Sequence, residues 1–194
     1  MTDWIDTIIS AWIGHRQFAE WLVQTTKPRV IVELGVDYGF STFVFANAVK
    51  QNNYDTTVYG IDMFEGDIHT GIRNTYNQVI ENKRMNNLDC LEIIVDDFEA
   101  ASKIWTMPID ILHIDGLHTY EAVKTDFENW HKFVKDDGII LFHDVTSFSD
   151  TVGRFFNSID ESHGHKTFFT HSAGLGILTK NTELFEMIKN KYNI

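Results

Sequence analysis

Acidic and imidazole side chains recur at one kind of place in this 194-residue chain, the end of a short apolar run. VIVEL (30–34) leads into Gly35-Val-Asp-Tyr-Gly39, and TVYGI (57–61) ends at Asp62. LEIIV (91–95) ends at Asp96 and Asp97, DILHI (110–114) at Asp115, and GIILFHD (138–144) at His143 and Asp144. If the runs are strands of one sheet, these residues lie where α/β sheets bind ligands. Gly35 permits a tight turn and the close approach of a ligand to the main chain. Gly39 opens a helix whose free N–H groups face the loop. The spacing is not G-x-G-x-x-G, because Asp37 stands at the middle glycine and would repel a pyrophosphate. Glu33 suits a cationic amino-acid headgroup, directly or through water. Asp62 could accept from both hydroxyls of a ribose. Asp96 and Asp97 could accept an adenine amino group with Phe98 covering the ring, or could simply cap a helix. Asp115, with His118 three residues on, would converge with His143 and Asp144 if their strands are neighbours, about 5 Å apart. That cluster could hold one divalent ion through Asp115, His143 and Asp144, or be a solvated acidic rim. Without a metal, His118 or His143 could act as a general base near pH ~6.5.

These side chains need elements to hold them. STFVFANAVK after Gly39 reads as a helix, as does the centre of 63–90 near 72–87. Val123, Phe127, Trp130 and Val134 form an amphipathic stripe over 120–135, with Thr119 as N-cap and Gly138 at the exit. Strands alternating with helices mean βαβ units and a parallel sheet. After a helix near 150–161, KTFFTH (166–171) and LGILT (175–179) are joined by Ser172-Ala173-Gly174, which can only make an antiparallel hairpin. Ahead of the sheet, Trp4, Ile5, Ile8, Ile9, Trp12 and Ile13 fall at helical spacing. They either pack on the sheet or form a lid or a homodimer contact through N-terminal helices. His113, inside a strand, reads as a core histidine and Cys90 as a small apolar filler. His69 overhangs the same edge, and Arg73 reads as a surface residue or as a contact for an acidic substrate group.

Sixteen basic against 28 acidic residues give a net charge of −12, which argues against nucleic acid and against an anionic membrane surface. A single cysteine forms no internal disulfide, and the N-terminus lacks the basic region of a signal peptide. The expectation is a cytoplasmic single domain over 1–194, with an N-terminal helical extension (1–28) and a core (29–180).

Together the motifs resemble the class I S-adenosylmethionine-dependent methyltransferases. The closer resemblance is to the bacterial group associated with glycan and O-antigen synthesis, similar to antibiotic-sugar O-methyltransferases. Its patterns are met by Glu33, Gly35, Gly39, Ser41 and Thr42; by Tyr59, Gly60, Asp62, Gly66, Asp67, His69 and Gly71; by Asp110 through Val123; and by Gly138, Phe142, His143 and Asp144. Phe64 replaces an expected tryptophan, and His143 replaces the first acid of a pair that binds magnesium in some relatives. The resemblance implies a Rossmann-like sandwich with a seven-stranded, mostly parallel sheet in the order 3-2-1-4-5-7-6. It implies S-adenosylmethionine held by Glu33, Gly35, Val36, Gly39, Ser41, Thr42, Asp62, Met63, Phe64, Asp96, Asp97, Phe98, Asp115 and His118. It assigns catalysis to His118, His143 and Asp115, and any Mg or Mn to Asp115, His143 and Asp144. The acceptor it implies is a sugar, a glycan or another small hydroxyl compound. Two other readings stand beside it. A nicotinamide (NAD)-dependent oxidoreductase is disfavoured by the glycine spacing and the terminal hairpin. A relative that binds an adenosine ligand without catalysis remains open.

Overall fold

The apolar runs become the strands of one sheet in the computed structural model, which describes residues 4–194. The strands are β1 (Val30–Leu34), β2 (Thr57–Ile61), β3 (Leu91–Ile94), β4 (Ile109–Ile114), β5 (Val134–His143), β6 (His165–Phe169) and β7 (Leu175–Thr179). Their order is β3-β2-β1-β4-β5-β7-β6, parallel through the first five positions, with β7 antiparallel to both of its neighbours. This is the expected methyltransferase topology. A two-stranded ribbon, Gly66–Asp67 with Gly71–Ile72, stands apart from the sheet.

Register explains why the chemistry collects on one edge. Leu34 lies opposite Ile61 and Ile114, Ile61 opposite Ile94, and Ile114 opposite Phe142. The next residue on each strand is therefore Gly35, Asp62, Val95, Asp115 or His143, in one row across the sheet.

Helices cover both faces, so the central strands can be apolar throughout. On one face lie α1 (Arg16–Thr26), α2 (Phe40–Asn52) and, after α3 (Tyr76–Met85), the C-terminal α7 (Thr182–Tyr192). On the other lie α4 (Phe98–Ile104), α5 (Tyr120–Trp130) and α6 (Arg154–Ser158). Thr119 caps α5, accepting the Ala122 N–H at 3.2 Å. The helix ends at Trp130 rather than near Gly138, which instead lies inside β5 at an irregularity in its pairing with β4. The helix expected at 150–161 is shorter, a π turn (Ser149–Gly153) running into α6.

The N-terminal helix read from Trp4 to Ile13 is replaced by two 3-10 turns, Trp4–Thr7 and Ala11–His15. Ser10, extended, interrupts the spacing and caps the second turn through the Trp12 N–H. Residues 1–3 of the expected extension lie outside the described residues. Ile5, Ile8 and Trp12 are buried, leaving Ile9 and Ile13 exposed. The segment packs onto the core through these three residues, while residues 7–11 border the open edge of the sheet where the strand tips lie. Among the described residues no helix is long and apolar enough to cross a membrane.

Candidate active site

A cavity of about 1130 Å³ opens along the row of strand tips. Its wall at β1 is the turn after Leu34. Gly35 has φ 95°, and a Cβ there would sit 2.0 Å from the Asp115 carbonyl oxygen, so the position accepts only glycine. Asp62 anchors this turn. One of its oxygens accepts the N–H groups of Val36 and Asp37 at 2.8 and 2.9 Å, the other that of Phe64 at 2.6 Å. Asp62 still borders the cavity, so it shapes the turn as well as facing a ligand.

Glu33 and Thr42, expected at the cofactor, do not line the cavity. Glu33 is fully buried beneath it and accepts from the hydroxyls of Ser41 and Thr42 and from His113 Nδ1. A buried carboxylate is tolerable only with such partners. His113 Nε2 in turn accepts from Trp12 Nε1 at 3.1 Å, which fixes its proton on Nδ1. His113 is the core residue its strand position suggested, and Glu33 ties α2 and the N-terminal segment to the sheet. Ser41, besides donating to Glu33, borders the cavity.

Val36, Gly39, Met63, Phe64, Asp96, Asp97 and Phe98 line the cavity. Phe64 does so with its ring buried against Tyr76, centroids 5.4 Å apart. Asp97 is also the N-cap of α4, accepting the Ala100 N–H at 3.0 Å. Cys90 is half-buried at the foot of β3, remote from the cavity. Arg73 does line it: its guanidinium pairs with Asp37 at 2.5 Å and lies over the Tyr38 ring, and its buried Nε has no partner.

Four ionisable groups meet at the β4 and β5 tips. His118 Nε2 lies 2.8 Å from Asp144 and 3.9 Å from Asp115. His143 Nδ1 lies 3.1 Å from Asp144 and 3.2 Å from Asp115. Asp144 takes φ 66°, a left-handed conformation that turns the chain just after β5. The His118 ring stacks on Phe148 at 4.3 Å, and His69 stands 5.4 Å from His118 at the rim. The other nitrogen of His143, Nε2, lies 3.1 Å from the Ser172 carbonyl oxygen in the β6–β7 turn, as does Nε2 of His15.

Electrostatics follow from this alternation of charge. Burial opposes a charge on His118, but its bonds to Asp115 and Asp144 outweigh that and push its pKa up to about 9. Burial likewise opposes charging His143, and the same two carboxylates hold it protonated well above the usual imidazole range. Asp115 is held below the usual carboxylate range by the imidazoles, against its burial. Both imidazoles are thus drawn towards the protonated form, above the 6.5 of an ordinary imidazole. His15, buried beside His143, is pushed down to about 3.

The residues with closely grouped donor atoms are Asp115, His118 and Asp144, all within 4.8 Å of one another. The expected metal set named His143, but its nitrogens are turned to Ser172 and to the two carboxylates, so His118 takes its place. A divalent ion and the His118 proton would compete for the same oxygens.

Among the lining residues that the sequence reading gave no role, one is a buried acid. Asp126 is buried on α5 and borders the cavity beside Phe98. Its signal was in the stripe itself, an acid three residues after Val123 and four before Trp130.

Comparison with known proteins agrees with this geometry. Residues 32–145 match a family described as a methyltransferase domain. An uncharacterized protein of Sinorhizobium fredii, y4gI, is 38% identical over 138 residues, 70% of this chain; the chain spans about 15% of that protein's length. An O-methyltransferase from Bacillus cereus, in complex with S-adenosylhomocysteine, has TM-score 0.64 at 17% identity, covering 86% of this chain and 81% of its own. A methyltransferase from Podospora anserina bound to S-adenosylhomocysteine has TM-score 0.64 at 13% identity, covering 89% and 88%. The family match spans the row of strand tips from β1 to Val145, and the strand order is that of the same fold. The chain belongs to the methyltransferase-domain family, with the fold of class I S-adenosylmethionine-dependent methyltransferases.

Proposed function

We propose that this domain is an S-adenosylmethionine-dependent O-methyltransferase whose acceptor is the hydroxyl of a sugar or another small molecule. The observation that carries this reading is one cavity bordered at one end by Gly35, Asp62 and Asp97, and at the other by the His118–Asp144 pair at 2.8 Å. The cofactor supplies an electrophilic methyl group on a sulfonium. The residues present fit it: the cavity has room for a nucleoside cofactor and a small acceptor, and buried unpartnered nitrogens of Arg73 and His118 border it.

In this reading the turn from Gly35 to Gly39 approaches the methionine part and Asp62 the ribose. Asp97 and Phe98 hold the adenine. His118 takes the acceptor's proton once it has lost its own, and Asp144 orients the ring. His143 neutralises the two carboxylates and holds them in place. A base with a pKa near 9 matches a weakly acidic sugar hydroxyl better than one near 6.5, at the expense of its unprotonated fraction at pH 7. His118 loses part of the acids' stabilisation when a second cation, the sulfonium, shares its cavity. Its pKa then falls towards neutrality in the loaded enzyme.

The net charge of −12 favours a small acceptor over a nucleic acid. The glycan class of acceptor rests on the motif resemblance. Because His118 already occupies the carboxylates as a cation would, we propose turnover without a tightly bound metal. The test is calorimetry with S-adenosylmethionine, S-adenosylhomocysteine and NAD, followed by methyl-transfer assays on monosaccharides and nucleotide sugars with EDTA or Mn²⁺. Binding of NAD alone would reject the methyltransferase reading. Activity lost in EDTA and restored by Mn²⁺ would reject the metal-free one.

A further inference from the structure

Asp126 is an acid on the apolar stripe of α5, 8% exposed, among Val123, Phe127 and Trp130. A polar group so buried is costly unless something bonds it. Among the described residues nothing does, and what acts on it is its burial and the like charge of Asp97. It faces the cavity beside Phe98. Between them lies Gly116, where a Cβ would come within 2.7 Å of the Phe98 ring and 3.2 Å of Asp126 Oδ2. Gly116 thus packs directly against both, and the Phe98 ring and the Asp126 carboxyl group meet at one place on the cavity wall.

We propose that Asp126 binds the adenine of the cofactor as a neutral carboxylic acid, donating its O–H to a ring nitrogen and accepting from the 6-amino group. This rests on the placement of the adenine at Asp97 and Phe98 proposed above. The edge of adenine pairs an acceptor nitrogen with an N–H donor. An ionised carboxylate can only accept, whereas the neutral acid offers one donor and one acceptor side by side. The surroundings favour the neutral form. The ionisable groups bordering that end are Asp96, Asp97 and Glu99 from the α4 side, Asp115 from the β4 tip, and Glu121 on α5 itself. These are all acids; His118 and His143 share a smaller recess with Asp126 beside Gly116, and both are already engaged with Asp115 and Asp144. Burial first and then Asp97 push the Asp126 pKa up to about 7.

The test is calorimetric titration of the full chain with S-adenosylhomocysteine between pH 6 and 8.5, for the native protein, Asp126→Asn, Asp126→Leu and Phe98→Leu. An asparagine amide also carries a donor beside an acceptor and does not titrate. Asp126→Asn is expected to keep the native affinity of pH 6 at every pH, while native affinity falls relative to it above pH 7. Taking that ratio cancels ligand groups and the other acids of the site. Asp126→Leu is expected to bind about tenfold more weakly at pH 6, the loss of two hydrogen bonds. Leu binding as tightly as native at pH 6, or native affinity rising with pH relative to Asn, would overturn the proposal. If the Leu variant does not fold, the native-to-Asn ratio decides alone. If Phe98→Leu leaves affinity unchanged, the adenine lies elsewhere and the placement fails with it. If Phe98→Leu weakens binding and no Asp126 variant does, only the role of Asp126 fails.

Discussion

His118 and Asp126 are shifted in the same direction for different reasons, and each shift has a measurable sign. The acids around His118 stabilise its cation, so the rate should climb as the proton leaves. With the cofactor as the varied substrate, kcat/KM should rise to a break near pH 9, and kcat at saturation should break lower. A break in both near pH 6.5 would reject the pairing with Asp115 and Asp144. His118→Ala should lower kcat by about 10²–10⁴-fold with little change in S-adenosylhomocysteine affinity. Asp126 is destabilising when charged. Its folded pKa of about 7 lies above an unfolded value of about 3.9, so the folded chain binds more protons between those limits. Stability therefore falls as pH rises through that window and levels above it. Asp126→Asn should gain on the native protein from pH 5 to 7.5, by on the order of 2 kcal/mol in urea unfolding at pH 8. An equal difference at both ends would show that Asp126 is ionised in the fold.

The turns that follow the strands carry the site's precision. A Cβ at Gly35 would meet the Asp115 carbonyl oxygen, and φ 95° adds strain of its own. Gly35→Ala should cost about 3 kcal/mol or more and abolish cofactor binding in whatever fraction folds. Asp62→Ala removes the acceptor of three N–H groups, so it should lower stability by about 2 kcal/mol as well as weakening S-adenosylhomocysteine more than tenfold. Turn and strand were also what the sequence made most legible. Five apolar runs, four ending in an acid or histidine and one in the Gly35 turn, announced parallel strands and their tips, because a central strand buried on both faces reads as an uninterrupted run. Glu33 was misjudged for a physical reason. A glutamate one residue before the strand's end looks like a ligand group, and only the fold brings Ser41, Thr42 and His113 around it. The N-terminal turns were misread because apolar residues at helical spacing pack equally well on two short 3-10 turns. The high pKa of His118 was invisible because it depends on two acids meeting one ring, at distances no spacing along the chain encodes.

The sheet is assembled out of chain order, since β7 lies between β5 and β6 and is the last strand made. Nitrogens of both His143 and His15 face one carbonyl, that of Ser172, which belongs to the turn leading into β7. A nascent chain that has just exposed Asp144 already carries Asp115, His118, His143 and Asp144, yet has no sixth or seventh strand to fix them. Long-range pairings of this kind form late. The cluster proposed for acid–base work is thus completed late in biosynthesis: a translating ribosome can display all four side chains before the turn that braces His143 exists. A chain stopped at Gly164 should show no methyl transfer, and adding a synthetic 165–194 peptide in trans should restore some, as the missing hairpin docks on β5.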